Sequence, residues 1–178
     1  VITTLLYFSS CANELDYQND GRITMNDVFK DRKKIQGYLN SCYGYDVKPS
    51  LIWASYSDEA EDADNAIPGS PINNWYSGAA TASTFSQYSV DDPWGNLYQG
   101  IRKCNIFLTN IKNIDLTAVN VSSETRAGWE AQARTLRALY YLQLIKRYGG
   151  VPIISTPIST DHDFAKDKRA SFSEVVKF

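Results

Sequence analysis

The feature that most restricts the fold of this chain is an uninterrupted apolar stripe near its middle. Its members are separated by three or four residues, as on one face of an α-helix: Trp94, Leu97, Ile101, Cys104, Leu108 and Ile111. The Asp92-Pro93 pair directly precedes the stripe, and proline suits the first position of a helix because no backbone N–H is needed there. The sequence therefore predicts an amphipathic helix that starts at about residue 93, with Trp94 in the core.

A second long helix is predicted to start at Ser122 or Ser123 and to end at Tyr148. Its apolar face consists of Trp129, Ala133, Leu136, Tyr140, Leu144 and Tyr148. Gly149-Gly150 ends it, because glycine readily adopts the left-handed conformation found after many helices, and Pro152 prevents a restart. Extended chain is predicted to follow over 151 to about 158.

Two shorter helical patterns flank these helices. Thr24 to Asp27 form a capping pattern before an apolar stripe, which predicts a helix over about 25–44. Ser171 and Glu174 have the spacing of a capping box that opens a last helix. Cys42 and Cys104 both fall on apolar stripes, which favours two buried free thiols over a disulfide. The fold class predicted is mainly α, with repeat-like helix pairs.

Residues 46–92 differ from the helices, because they are rich in Ser, Asn, Asp, Gly, Pro and aromatic residues without lasting periodicity. A loop of this length inside a domain is usually functional. Twelve tyrosines favour a recognition surface. The 18 basic and 20 acidic residues give a net charge of −2, which argues against nucleic-acid binding. The single histidine argues against most zinc sites and any two-histidine mechanism.

The N-terminal residues indicate a processed signal peptide, and the C-terminal residues indicate a domain that continues further. Residues 1–10 are apolar and then small, too short to span a bilayer, and are interpreted as the remnant of a signal peptide. Phe8 to Cys11 resemble the lipobox of bacterial lipoproteins, which predicts lipid on Cys11 and a tether over 11–23. The alternative is a buried N-terminal strand. The helix opened by Ser171 has few residues before Phe178, so a domain truncated at its C-terminus is expected.

Several segments together resemble the SusD/RagB family. The resemblance is carried by Ala131 to Leu142 followed by Tyr148 to Ile153, and by the preceding helix with Trp94, Leu97, Tyr98, Ile101 and Asn105. Ser57 to Ala60 are similar to the family's "SDEA" segment, and Arg169 to Glu174 are similar to the start of its next helix. These segments occur in the family's order, and residues 24–178 correspond to the N-terminal part of a SusD-like domain.

Membership would imply a lipoprotein of the cell outer membrane that binds oligosaccharides or polysaccharides at the surface. It would pass them to a SusC-like TonB-dependent transporter, with no cofactor and no catalysis. Sugar binding needs aromatic faces and planar polar groups, which Asn73, Asn74, Trp75 and Tyr76 offer on a predicted loop. The alternative is a turn anchored in the core by Trp75. Tyr88 is a further candidate in the same loop.

Two functional interpretations of the acidic run 58–64 are considered. The resemblance singles out Asp58 as an acceptor for sugar hydroxyls, whereas a surface glycoside hydrolase would use two of these acids as catalytic carboxylates. Adjacent acids in one run supply no reason for different pKa values, so a solvated surface is favoured.

Residues 16–27 resemble a calcium-binding loop, with oxygen ligands at Asp16, Gln18 and Asp20, glycine at Gly21 and an acid at Asp27. This pattern would suit a calcium-dependent adhesion or assembly module. Glutamine at the third position and aspartate at the twelfth depart from it. The favoured interpretation is a tether followed by an ordinary helix cap, and no metal site is predicted.

Overall fold

The computed structural model describes residues 23–45, 54, 57, 59–61, 76–79, 81 and 93–178. Within these residues the fold is mainly α-helical, as predicted, and contains no strand. Five helices are labelled here in chain order: α1 (Met25–Val28), α2 (Arg32–Cys42), α3 (Trp94–Asn110), α4 (Ser123–Tyr148) and α5 (Phe172–Lys177). Helices α3 and α4 form an antiparallel pair, and α2 packs across both.

The helix predicted over 25–44 is divided into α1 and α2. Thr24 and Asp27 form the expected capping box at the start of α1, but that helix stops after one turn at Val28. Asp31 then caps a new helix, because its carboxylate accepts the Lys34 backbone N–H at 2.8 Å. The predicted continuity was therefore wrong, and the signal that it overlooked is an aspartate at a capping position.

Helix α3 starts one residue later than predicted and buries the predicted face. Pro93 lies at the N-cap position, without a side-chain cap, and a single 3₁₀ turn over Ile111–Asn113 follows the helix. The buried positions include Leu97, Ile101, Cys104, Phe107, Leu108 and Ile111. Trp94 is only partly buried, so the prediction of a core position holds in part.

Helix α4 has the predicted boundaries. The Ser122 hydroxyl accepts the Thr125 backbone N–H at 3.1 Å, which satisfies one of the free donors of the first turn. At the other end Gly149 has φ 67° and ψ −128°, a conformation that residues other than glycine rarely adopt. Lys146 and Arg147 in the last turn complement the negative end of the helix dipole.

The core lies between α2, α3 and α4. Phe29, Tyr38 and Phe107 form a ring cluster with centroids 5.9–6.3 Å apart. Tyr140 is fully buried and donates its hydroxyl to the Cys42 carbonyl, so α4 is tied to the end of α2. Each fully buried aliphatic or aromatic side chain contributes about 1.5–3 kcal/mol, so packing of these three helices dominates the stability of this region.

Cys42 and Cys104 face each other within this core. Both thiols are buried and neither is in a disulfide, as predicted. A hydrogen bond between the two side chains lowers the pKa of Cys42 and raises that of Cys104. Their surroundings are those of structural thiols that pack between α2 and α3.

After α4 the chain runs along the helix pair without helix or strand over residues 149–163, as its glycines and proline predict, forms a 3₁₀ turn over Phe164–Lys166 and then enters α5. Ser171 and Glu174 form the predicted capping box of α5, with Ser171 N to Glu174 Oε2 at 2.7 Å. Among the described residues, no helix has the length and apolar character needed to cross a bilayer.

Candidate functional site

Most of the residues predicted to bind sugar lie outside the part of the chain that the structure describes. Tyr76 is described, and its side chain is 39% exposed. The other candidates lie outside the described residues: Asp58, Asn73, Asn74, Trp75, Tyr88 and the lipidation site Cys11. Of the predicted set, the structure therefore describes Tyr76 alone; it is exposed and has helical backbone conformation, and its role in sugar binding stays a prediction.

The most elaborate polar arrangement in the described chain fixes the extended segment, residues 151–158, against α3 and α4. Tyr98 donates its hydroxyl to the Pro152 carbonyl at 2.8 Å. The Tyr141 hydroxyl accepts the Ile154 backbone N–H at 2.7 Å. Because none of the described residues forms a strand beside the segment, side chains of the two helices satisfy backbone groups that a sheet would otherwise pair.

Asn105 and Arg137 complete this arrangement. Asn105 is 1% exposed, and its Nδ2 donates to the Ile154 carbonyl at 2.8 Å. Arg137 Nη1 donates to Asn105 Oδ1 at 2.8 Å and to the Ser155 carbonyl at 3.3 Å. Burial lowers the pKa of Arg137 from its ordinary value, but an arginine remains charged at any physiological pH. This residue pair, the polar clamp, thus holds the segment through a charge-assisted hydrogen bond.

Tyr98 and Tyr141 are stable donors and acceptors in the same arrangement. Burial raises the pKa of both hydroxyls above the ordinary value for tyrosine. Both groups therefore stay protonated at physiological pH, and the Tyr98 bond to the segment does not titrate.

The extended segment contributes every second side chain to a surface groove. Val151 is buried in the core, whereas the residues at even numbers line a groove on the surface: Pro152, Ile154, Thr156 and Ile158. A period of two is the expected consequence of extended backbone. The carbonyl hydrogen bonds to α3 and α4 therefore leave one row of side chains available to form a wall.

This groove, which we call the aromatic groove, has a volume of about 460 Å³. Helix α3 supplies its second wall through Trp94, Gly95, Tyr98, Gln99 and Arg102, and Phe164 and Asp167 lie at its rim. The Trp94 ring is 4.9 Å from that of Tyr98 and 5.0 Å, edge-on, from that of Tyr148. Ring packing thus fixes the aromatic wall before any ligand arrives.

Three polar side chains face this aromatic surface. Arg102 Nη1 donates to the Ile158 carbonyl at 2.5 Å, and Asp167 Oδ2 is 2.9 Å from His162 Nε2. Gln99 is exposed and makes no hydrogen bond within the part of the chain that the structure describes. Apolar walls with a few planar polar groups are typical of small-ligand sites.

A second groove lies between the end of α4 and α5, and we call it the C-terminal groove. Its volume is about 510 Å³, and its apolar residues Leu142, Val176 and Phe178 are 48–60% exposed. Arg137 lies over the Phe178 ring, with its Cζ atom 4.9 Å from the centroid. Its polar lining side chains are Arg134, Thr135, Arg137 and Tyr141, so it lacks the side-chain amide and carboxylate of the aromatic groove.

Sequence reasoning identified Trp94 as a core residue and did not assign roles to Gln99, Arg102 or Phe164. The signal for the clamp was available, because Asn105 is a polar residue beside the apolar stripe of α3. The signal for the groove was weaker, since Phe164 lies 70 residues from Trp94 in a polar segment. Only the fold brings these positions together.

The comparisons with known proteins agree with the family resemblance. The family described as SusD-like, starch-binding and associating with the outer membrane matches residues 15–177. A SusD-like protein of Formosa agariphila is 28% identical over 120 residues, which covers 67% of this chain and 22% of that protein.

Two solved structures from Bacteroides fragilis have similar folds. One, a SusD-like protein, has TM-score 0.69 and 21% identity over 86% of this chain and 28% of its own. The other, a SusD-like carbohydrate-binding protein, has TM-score 0.62 and 23% identity over 84% and 30%. The chain therefore spans less than a third of the length of these relatives. With the family's pattern matched across nearly the whole sequence, the chain belongs to the SusD-like family.

Proposed function

We propose that this chain is part of a lipid-anchored cell-surface protein that captures oligosaccharides and passes them to a SusC-like TonB-dependent transporter. The observation that carries the proposal is the family match over residues 15–177, because the family is described as starch-binding and associating with the outer membrane. No bond in the sugar is broken in this role. Affinity arises from aromatic contact and from hydroxyl groups that exchange water for protein partners.

The loop over residues 46–92 is proposed to supply a sugar-binding surface. Asn73, Asn74, Trp75 and Tyr76 combine two amides and two aromatic rings in consecutive positions, and Tyr76 is exposed. Asp58 and Tyr88 would add a hydroxyl acceptor and a further ring. Helices α3 and α4, which the loop directly precedes, would hold it on a rigid support.

A binding role is favoured over the hydrolase alternative by the exposure of the described acids. A general acid in a glycoside hydrolase is typically kept protonated by an apolar pocket. Glu59 and Glu61 are both exposed to solvent, and the remaining acids of 58–64 lie outside the described residues. A solvated acidic run is the simpler assignment.

A binding role is also favoured over the calcium alternative. Asp27, the last acid of the calcium-like pattern, has its Oδ2 occupied by Thr24, with Thr24 N at 2.9 Å and Thr24 Oγ1 at 2.6 Å. Asp16 to Arg22 lie outside the described residues.

The loop is tested by affinity gel electrophoresis in soluble starch and by titration calorimetry with maltoheptaose. Trp75→Ala should abolish retardation and measurable binding, because a sugar ring loses its stacking surface. Phe172→Ala is the matched control, since Phe172 is an exposed aromatic on α5. Circular dichroism should show unchanged helix content in both variants. Unchanged affinity in Trp75→Ala would reject the loop as the binding site.

The transfer step is tested by purification of the protein from detergent-solubilised outer membranes. A TonB-dependent transporter should co-purify in stoichiometric amount, identified by mass spectrometry. Cys11→Ser should release the protein from the membrane fraction and remove the acyl mass from its N-terminus. Recovery without a transporter, or membrane retention of the Cys11→Ser variant, would contradict the respective part of the proposal.

A further inference from the structure

We propose that the aromatic groove is a second saccharide-binding subsite, separate from the 46–92 loop and selective for neutral sugars. The ligand class rests on the proposed function, whereas the site rests on the groove itself. Its volume of about 460 Å³ falls within the range of about 300–1,000 Å³ that small-ligand sites occupy.

The aromatic walls offer ring faces to the apolar C–H side of a sugar. Phe164 lines the same groove as Trp94 and Tyr98, and it is 66% exposed. The His162 and Phe164 rings pack at 82° to each other with centroids 5.0 Å apart, and Arg169 lies 5.9 Å from the Trp94 ring centroid. Because neighbours already restrain both Phe164 and Trp94, a ligand that contacts these rings loses less conformational entropy on binding.

The polar groups suit neighbouring hydroxyls. The guanidinium of Arg102 uses one Nη1 hydrogen bond on the Ile158 carbonyl, which positions its planar group, and it makes no other hydrogen bond to described residues. Asp167 is similarly oriented by His162 and provides acceptors. The Gln99 amide supplies a donor and an acceptor in one plane.

The charges of the groove indicate a neutral ligand. Arg102 and Asp167 are its only charged lining residues in the described chain, and their formal charges cancel. An anionic sugar would gain from Arg102 but would be repelled by Asp167. The C-terminal groove is the contrasting case, since its two charged residues, Arg134 and Arg137, are both cationic.

The wall of the groove that the extended segment forms is rigid, which a recognition site requires. Its segment is held from behind by the polar clamp and by Tyr98, so Pro152 and Ile154 have fixed positions. A ligand would therefore meet a preformed surface and would need no rearrangement of the helices.

Phe164→Ala tests this subsite in calorimetric titrations with maltoheptaose. We expect about ten-fold weaker binding, since loss of one ring contact and its buried area is worth on the order of 1.4 kcal/mol. Gln99→Ala should weaken binding less, by about three-fold, through loss of one neutral hydrogen bond. Both side chains are exposed, so the thermal unfolding midpoint should stay within error of the unmodified protein.

Phe172→Ala is again the control, as an aromatic that is 56% exposed and does not line the groove, and it should leave affinity unchanged. Normal binding by Phe164→Ala, together with loss in Trp75→Ala, would overturn the subsite and leave the loop as the site. Loss in Phe164→Ala with normal binding by Trp75→Ala would support the groove and reject the loop.

Charge selectivity gives an independent readout. A sulfated hexasaccharide of chondroitin should bind more weakly than maltoheptaose, and Asp167→Asn should narrow that difference by removing the repelling carboxylate. Tighter binding of the sulfated sugar, lost in Phe164→Ala, would contradict the assignment of a neutral ligand while keeping the groove as a site. No binding of either probe by the unmodified protein would contradict the proposed function and this subsite together.

Discussion

Helix α3 contacts α2 and the extended segment in different ways. Toward α2 it presents mainly apolar side chains, with Phe107 in the ring cluster and Cys104 against Cys42, and with one side-chain hydrogen bond at 3.3 Å from Lys103 Nζ to Ser41 Oγ. Toward the extended segment it presents Tyr98, Arg102 and Asn105, each of which hydrogen-bonds a backbone carbonyl. A helix satisfies its own backbone, so packing suffices between helices, whereas an extended chain outside a sheet needs polar partners.

This difference explains where a groove can form. On the α2 side the side chains of both partners interdigitate and fill the space between them. On the other side the carbonyls of the segment are the contacting groups, so Pro152, Ile154 and Ile158 remain available to line the surface. The polar interface thus requires hydrogen-bonding side chains to be buried, and in return it holds the segment as a rigid apolar wall of the groove.

The largest effect is expected when the polar interface is broken at its buried residue. Asn105→Ala leaves the Ile154 carbonyl and the Arg137 guanidinium without their amide partner. We expect the free energy of unfolding to fall by about 2–4 kcal/mol, measured by urea denaturation. Asn110→Ala, which removes a bond only to the Ile106 carbonyl within the same helix, should cost less than about 1 kcal/mol. Equal losses in both variants would refute a special role for the clamp.

The packing of α3 against α4 and against the turn that follows α2 should respond to added volume instead. A Cβ atom at Gly100 would lie 2.7 Å from Tyr140 Cε2 and from Tyr45 Cβ, so the helices would have to move apart. Gly100→Ala should therefore destabilise the protein by about 1–3 kcal/mol. Gly95→Ala on the same helix meets no atom within 4 Å and should instead be neutral or stabilising by up to about 1 kcal/mol. Thermal denaturation of both variants measures the difference in unfolding midpoint. Equal midpoints would show that α3 and α4 can move apart without loss of stability.

Removing the Tyr98 hydroxyl should have a smaller effect on stability, and it tests whether this hydroxyl supports the groove or contacts the ligand. Tyr98→Phe keeps the ring in the groove but removes the hydroxyl that donates to the Pro152 carbonyl. The unfolding free energy should fall by about 1 kcal/mol while maltoheptaose affinity changes little. Tyr43→Phe is the control, because its hydroxyl bonds an exposed Gln132 at 3.0 Å, and it should be neutral. A larger loss of affinity than of stability would place the Tyr98 hydroxyl in ligand binding.

The same contrast explains what could be predicted from sequence. The stripes of α3 and α4 repeat every three or four residues, so the buried face is a local property that the sequence displays directly. The Ser122 cap and the Gly149 stop are local as well. These parts of the fold were predicted to within one residue because no distant contact was needed to infer them.

The polar clamp and the aromatic groove depend on pairs far apart in the sequence. Asn105 and Arg137 are 32 residues apart, and Asn105 and Ile154 are 49 apart, so no local pattern links them. The division of α1 from α2 is a local feature that apolar periodicity alone concealed, since Asp31 has to be considered as a cap. The loop 46–92 has neither period nor cap signals, and its sugar-binding residues remain a prediction.

The smallest effect is expected away from both interfaces, at the two capping boxes, as the pH falls. Hydrogen bonds from Thr24 lower the pKa of Asp27, and hydrogen bonds from Ser171 lower that of Glu174. Because both pKa values are lower in the folded state, the boxes stabilise the protein fully above the ordinary carboxyl pKa values of about 3.8 and 4.5. That contribution is lost as the pH falls through the folded values.

Unfolding midpoints of the unmodified protein and of Asp27→Asn and Glu174→Gln, measured from pH 7 down to about pH 2, test this linkage. The difference between each variant and the unmodified protein should be constant near neutrality and should shrink in acid. By contrast, the stability lost in Asn105→Ala should persist across this range, because the clamp contains no group that titrates there. If the stability lost in Asn105→Ala instead decreased in acid, as for the capping boxes, an acidic side chain would have to support the polar interface. The contrast between the contacts of α3 with α2 and with the extended segment would then need revision.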